Sequence, residues 1–98
     1  MAKGYWIAHV DVTDQDAYAA GYIASAKETL AAFGAVFIVR AGTRTVVEGA
    51  ARARTVVIEF PSYQAALDCY NAPGYQAAKA KRDLIATGDL VIIAGYDG

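Results

Sequence analysis

The chain has 98 residues, 56% of them hydrophobic and 19% charged, with 9 basic against 10 acidic side chains and a net charge of −1. That length makes residues 1–98 a single domain with one core, and the charge balance, with no basic run beyond Lys79, Lys81 and Arg82, excludes the electropositive stripe that nucleic acid needs. A lone Cys69 excludes an internal disulfide, no apolar run reaches membrane-spanning length and the N-terminus does not read as a signal peptide, so the expectation is a soluble cytoplasmic protein with neither nucleic acid nor membrane as partner.

Residues 5–12 alternate. Trp6, Ala8, Val10 and Val12 form a wholly apolar set, while Tyr5, Ile7, His9 and Asp11 form a mixed one, which predicts a strand with two unlike faces. Thr13 is the expected N-cap of a first helix, with Asp16 completing a capping-box pattern. Tyr18, Tyr22, Ala26, Leu30 and Phe33 give that helix an apolar stripe, and Gly34 suits a left-handed stop. Residues 35–41 are a near-continuous apolar run ending at Arg40. Gly42 marks a bend, Thr43–Glu48 read as a continuation of the strand, and Gly49–Ala53 read as the hairpin loop. Arg54–Phe60, rich in β-branched residues and closed by Pro61, is the third strand. Ser62 caps a short helix that Pro73 interrupts. A further helix starts at Pro73 and is expected to run to about Thr87, with Gly88 as its stop and residues 89–94 as the last strand.

The order β-α-β-β-α-β predicts an α+β fold: a ferredoxin-like sandwich, with a four-stranded antiparallel sheet and the helices on one face. A sheet with one wet face should alternate apolar and polar residues. Here Val36 and Ile38, Phe37 and Val39, Val56 and Ile58, Val57, Leu90 and Ile92, and Val91 and Ile93 make both faces apolar. The chain has no spare element to cover the second face, so a second copy is the expected partner, in an interface of at least about 1,600 Å².

The stretches KGYWIAHVDVTD, FIVRAG, VVEG, RTVVIEFPSYQAALDCY and NAPGYQAAKAKR resemble the family known as domain of unknown function 1330, of the dimeric α+β barrel superfamily. The resemblance covers nearly the whole chain and is most specific from Val56 to Tyr75. It implies the fold and the homodimer, and no agreed activity. The chain departs from the family pattern at Gly34-Ala35, at Arg40-Ala41-Gly42 and at Ala72-Pro73-Gly74-Tyr75. The first helix is one residue longer than the pattern, with Gly21 inserted between Tyr18 and Tyr22, which predicts a local π-bulge.

His9 is the only histidine and shares a strand face with Asp11, an arrangement suited to general-base chemistry near neutral pH or to an inert, hydrogen-bonded place inside the dimer. Arg40 closes an apolar strand, and Arg82 shares a helical face with Tyr75, Ala78 and Ile85; either is a clamp for a carboxylate or phosphate, or a structural partner for Glu59. Glu48 and Arg54 flank the loop as an expected cross-strand pair. Tyr70 is a candidate pocket phenol, Asn71 a cap, and Cys69 a small buried hydrophobe. No zinc, calcium, nucleotide or nucleophile-elbow motif is present.

The resulting expectation is a homodimer that binds a small organic molecule without a tightly held cofactor and has no metal site. Its candidate catalytic residues are His9 and Arg82, with Arg40, Glu59, Tyr70 and Tyr75 binding substrate and His9 moving a proton on a molecule oriented by an arginine. The rivals are a non-catalytic scaffold or partner-binding module, whose polar residues would all satisfy one another and leave no cavity, and a cofactor-dependent oxygenase.

Overall fold

The computed structural model describes residues 2–97. Strand β1, Gly4–Val12, is followed by a helical segment made of α1, Gln15–Ala17, a π-helix, Tyr18–Ile23, and α2, Ala24–Ala32. Strands β2, Val36–Arg40, and β3, Arg54–Phe60, precede α3, Tyr63–Asn71, α4, Pro73–Arg82, and strand β4, Ala86–Ala94. The sheet order is β2-β3-β1-β4, with every pairing antiparallel. This is the ferredoxin-like arrangement expected from the element order.

Strand register fixes the two faces. Trp6 stands opposite Ile58 and Ile92, and Ala8 opposite Val56 and Leu90; these residues form or pack on the core beneath the helices. Ile7 stands opposite Val57 and Val91, on the outer face. Trp6 anchors the core: its indole N–H donates to the Ala66 carbonyl at 2.9 Å, and its ring meets Phe60 at 5.1 Å and Tyr75 at 4.8 Å. Such aromatic pairs add about 0.5–1.5 kcal/mol beyond the area they bury.

The extra residue in the first helix is absorbed as a π turn. The Ala24 N–H reaches the Ala19 carbonyl, five residues back. Tyr18, Tyr22, Ala26 and Leu30 are all buried although they recur every four residues. In an ideal α-helix that spacing drifts about 40° per step, and the wider π turn takes up part of the drift. Gly34, with φ at 75°, ends the helix as expected.

Several local readings are corrected. The cap of the first helix is Asp14, whose Oδ1 accepts from the Ala17 N–H at 3.0 Å; Thr13 instead ties its N–H and its hydroxyl to the Ile85 carbonyl. Residues 43–48 do not extend β2. Ala41 turns the chain aside at φ 53°, and Asp11 draws the far side of the loop toward β1 by accepting from the Ala53 N–H at 2.9 Å and pairing with Arg52 at 3.0 Å. Residues 41–53 therefore form a long loop outside the sheet. The last helix ends at Arg82 rather than Thr87, because residues 83–85 turn the chain into β4. Gly88 lies in that strand, opposite Val10, where an added Cβ would come within 3.1 Å of the His9 carbonyl. Ser62 and Pro73 serve as the cap and first residue predicted for their helices.

Candidate functional site

A pocket of about 370 Å³ lies between the core face of the sheet and the first helical segment. Its apolar wall includes Ala8, Val10, Ile58 and Leu90 from the sheet and Ile23, Ala26 and Leu30 from the helix. Its polar groups are the phenols of Tyr18, Tyr22 and Tyr75, and the cations of Lys27, Arg40, Arg54 and Arg82. Among the described residues, no Asp, Glu or His lines it.

Sequence parity explains why arginine enters an apolar space. Arg54 stands opposite Val10 and so shares the core face with Val56, Ile58 and Phe60. Its guanidinium lies 5.3 Å from the centre of the Tyr18 ring, and its Nη1 donates to Gln15 Oε1 at 3.2 Å. The Arg54 Nε–H is buried and has no hydrogen-bond partner among the described residues. Leaving such a donor unsatisfied costs about 1–3 kcal/mol, and more when it belongs to a charged group. Arg40, opposite Val56, lies 5.0 Å over the Phe37 ring at the same pocket.

At the other end, α4 supplies Tyr75 and Arg82. Arg82 Nη1 donates to the Tyr75 hydroxyl at 2.9 Å, the Tyr75 and Tyr22 hydroxyls lie 2.7 Å apart, and the Arg82 guanidinium stands 5.4 Å from the Tyr22 ring centre. Burial raises the pKa of all three phenols, Tyr18, Tyr22 and Tyr75, so they stay protonated and act as hydrogen-bond donors.

Of the residues singled out in the sequence, Arg40, Tyr75 and Arg82 meet at this pocket. Tyr70 packs against Trp6 and Tyr75 in the aromatic core behind it. Glu59 lies on the outer face, where it pairs with Lys3 at 3.0 Å and not with either arginine. Glu48 and Arg54 do not pair, because Arg54 turns inward to Tyr18 and Gln15.

His9 is also on the outer face, opposite Thr55 and Asp89, so the sheet separates it from Arg82. Its Nδ1 lies 3.0 Å from Thr55 Oγ1, which accepts from Arg44 Nη1 at 2.9 Å. Asp11, its neighbour on that face, is taken by Arg52 and the Ala53 amide, which hold its carboxyl below the usual range. Cys69 is fully buried, and burial pushes its thiol up to about 11, which leaves it protonated and unreactive near neutrality.

Reading Tyr18 and Tyr22 only as an apolar stripe, and Arg54 only as a loop flank, misses half of the pocket. The signal was present: hydroxyls at core-facing helical positions, and an arginine in phase with Val56 and Ile58.

The sheet order and the helices packed on one face define a ferredoxin-like α+β protein. The chain belongs to the family described as domain of unknown function 1330, whose sequence pattern matches residues 3–96. No curated protein matches the sequence. A protein of unknown function from Rhodopseudomonas palustris has a similar structure, with TM-score 0.72, 16% identity, and coverage of 99% of this chain and 85% of that one. SnoaB, a cofactor-independent oxygenase from Streptomyces nogalater, matches with TM-score 0.64 and 11% identity over 100% of this chain and 97% of its own. A possible oxidoreductase of unknown function from Bacteroides thetaiotaomicron matches with TM-score 0.53 and 12% identity, covering 95% and 97%. These likenesses establish the fold. No helix among the described residues is long and apolar enough to cross a membrane.

Proposed function

We propose that the protein binds a small organic anion in the pocket between sheet and helices, and that it works as a cytoplasmic homodimer of two 98-residue domains joined through their outer sheet faces. The observation that carries the binding proposal is the buried, unpartnered Arg54 Nε–H in a pocket whose charged groups are all cationic. A bound anion would give that donor a partner and offset its desolvation. The apolar wall and the aromatic rings suit a planar hydrocarbon body, and the arginines suit a carboxylate or a similar anion. Calorimetric titration with benzoate and its neutral isostere benzamide tests this. Benzoate is expected to bind more tightly; equal binding, or no binding of either at millimolar concentration, would reject the anion reading.

The homodimer rests on the outer face. Val36, Val91 and Ile93 are 56%, 55% and 47% exposed there, beside Ile7 and Val57, and no element among the described residues covers them. Light scattering behind size exclusion should give twice the chain mass at micromolar concentration.

A specific arrangement favours a second reading, in which His9 does proton chemistry on the outer face with Arg44 in place of Arg82. Because Thr55 Oγ1 accepts from Arg44, its own proton is free to donate to His9 Nδ1, leaving the N–H on Nε2. His9 lines a cleft together with Gly42, Thr43, Arg44 and Glu48. Imidazole ¹⁵N shifts of the wild type and of a Thr55→Val variant report this tautomer; unchanged shifts would discard the relay.

A further inference from the structure

We infer that the pocket recognises a carboxylate at one end and a carbonyl or enol oxygen at the other, with Arg54 holding the first and Tyr22 the second. This rests on the small-anion reading above and adds the chemistry of the two ends.

The Arg54 end follows from guanidinium geometry. Nη1 is engaged by Gln15 Oε1, while Nε is buried without a partner and Nη2 donates no hydrogen bond among the described residues. Nε–H and one Nη2–H point in parallel from one edge of the guanidinium plane. That edge matches the two oxygens of a carboxylate and makes paired, charge-assisted hydrogen bonds. The Tyr18 ring against the guanidinium holds the plane in orientation before a ligand arrives.

At the Tyr22 end, the direction of hydrogen bonding decides the role. Arg82 has no acceptor, so its Nη1 donates to the Tyr75 oxygen. Tyr75 then has its proton available for the Tyr22 oxygen, 2.7 Å away. Tyr22, having accepted, keeps its own proton for a further acceptor, and it lines the pocket. The chain of donors thus runs from Arg82 through Tyr75 and leaves Tyr22 as the terminal donor, polarised by the cation behind it. A carbonyl or enolate oxygen is the acceptor this suits.

The two ends are separated along β1. Arg54 stands beside Val10, whereas Tyr75 packs on Trp6, four residues away, a distance of about 13 Å along a strand. Tyr18 and Tyr22, with ring centres 5.1 Å apart, span the interval on the helix side. A ligand with an aromatic or conjugated body between its two oxygen functions fits this layout. With no carboxylate or imidazole lining the pocket among the described residues, its cations and phenols suit the stabilisation of an oxyanion.

Three probes separate the ends: 4-acetylbenzoate, its methyl ester, and 4-ethylbenzoate, titrated calorimetrically into wild type, Arg54→Lys and Tyr22→Phe. Wild type is expected to prefer the acid over the ester by about tenfold or more, as a paired charge-assisted contact requires. Arg54→Lys, which keeps the charge and loses the fork, should cut that ratio several-fold. Tyr22→Phe should bring 4-acetylbenzoate down to the affinity of 4-ethylbenzoate and leave 4-ethylbenzoate unchanged. Circular dichroism checks that both variants fold; if Arg54→Lys does not, Gln15→Leu, which frees Nη1 while retaining Arg54, should keep the acid preference. If benzoate binds in preference to benzamide but the acid preference survives Arg54→Lys, or Tyr22→Phe weakens both acids alike, the two-ended assignment is overturned while the anion pocket stands. If no acid binds, both are overturned.

Discussion

Val57→Glu is the sharpest test of the outer face. Val57 stands between Ile7 on β1 and Val39 on β2, in the middle of the apolar surface, and is partly exposed in the single chain. Within one protomer the substitution should cost no more than about 1 kcal/mol, the width of the strand-propensity scale. In a face-to-face dimer, symmetry buries the carboxylate twice. Each buried ion carries an effective penalty of several kcal/mol; at about 3 kcal/mol per copy the dimer loses about 6 kcal/mol, which is more than four decades in Kd. Sedimentation velocity at micromolar concentration and neutral pH should therefore show a wild-type dimer and a folded monomer for the variant. Desolvation raises the carboxyl pKa in the dimer, so the dimer holds protons that the separated chains release. Association of the variant should then recover as pH falls toward the ordinary glutamate value of about 4.3. A wild-type monomer at these concentrations, or a variant that dimerises as tightly as wild type at neutral pH, would refute the reasoning.

Gly21→Ala should stabilise the protein by about 0.5–1 kcal/mol in urea denaturation, because Gly is the poorer helix former and an added Cβ there meets nothing within 4 Å. Gly4→Ala should do the opposite, since its Cβ would strike the backbone of Ser62 and Tyr63, and only a shift of α3 could relieve it. Cys69 binds its proton more tightly when folded, at about 11 against 9.0 for the free thiol, so its contribution to stability is complete below pH 9 and declines as pH rises through 11. The urea midpoint should fall across that window, less steeply in Cys69→Ala, and thiol reagents should label the native protein at pH 8 only through unfolding. Asp11→Ala removes the acceptor of the Ala53 N–H and the partner of Arg52, so hydrogen exchange at Ala53 should speed up while the β1 amides stay protected.

Much of the fold was legible because it is written in short-range periodicity. Alternation in residues 5–12 identified β1 and its two faces, and Ser62, Pro73 and Gly34 marked helix ends through local backbone chemistry. The π turn was not written in periodicity: it was expected only because the resemblance to the family pattern made Gly21 an extra residue, which one wider turn can absorb. The separation of His9 from Arg82 was also implicit, because strand parity puts His9 away from Trp6 while α4 lies on Trp6's side.

The pairings among polar groups were decided only by the tertiary structure. Arg54 turned inward to Tyr18 and Gln15, Lys3 took Glu59, and Arg52 bridged Asp11 and Asp89. In each case long flexible side chains had several partners of equal chemistry available in sequence. The register of β1 against β3, and the path of the loop at 41–53, brought one of them within reach. Hydrophobic spacing repeats along the chain and can be read from it, whereas an ion pair or a pocket exists only where distant segments meet.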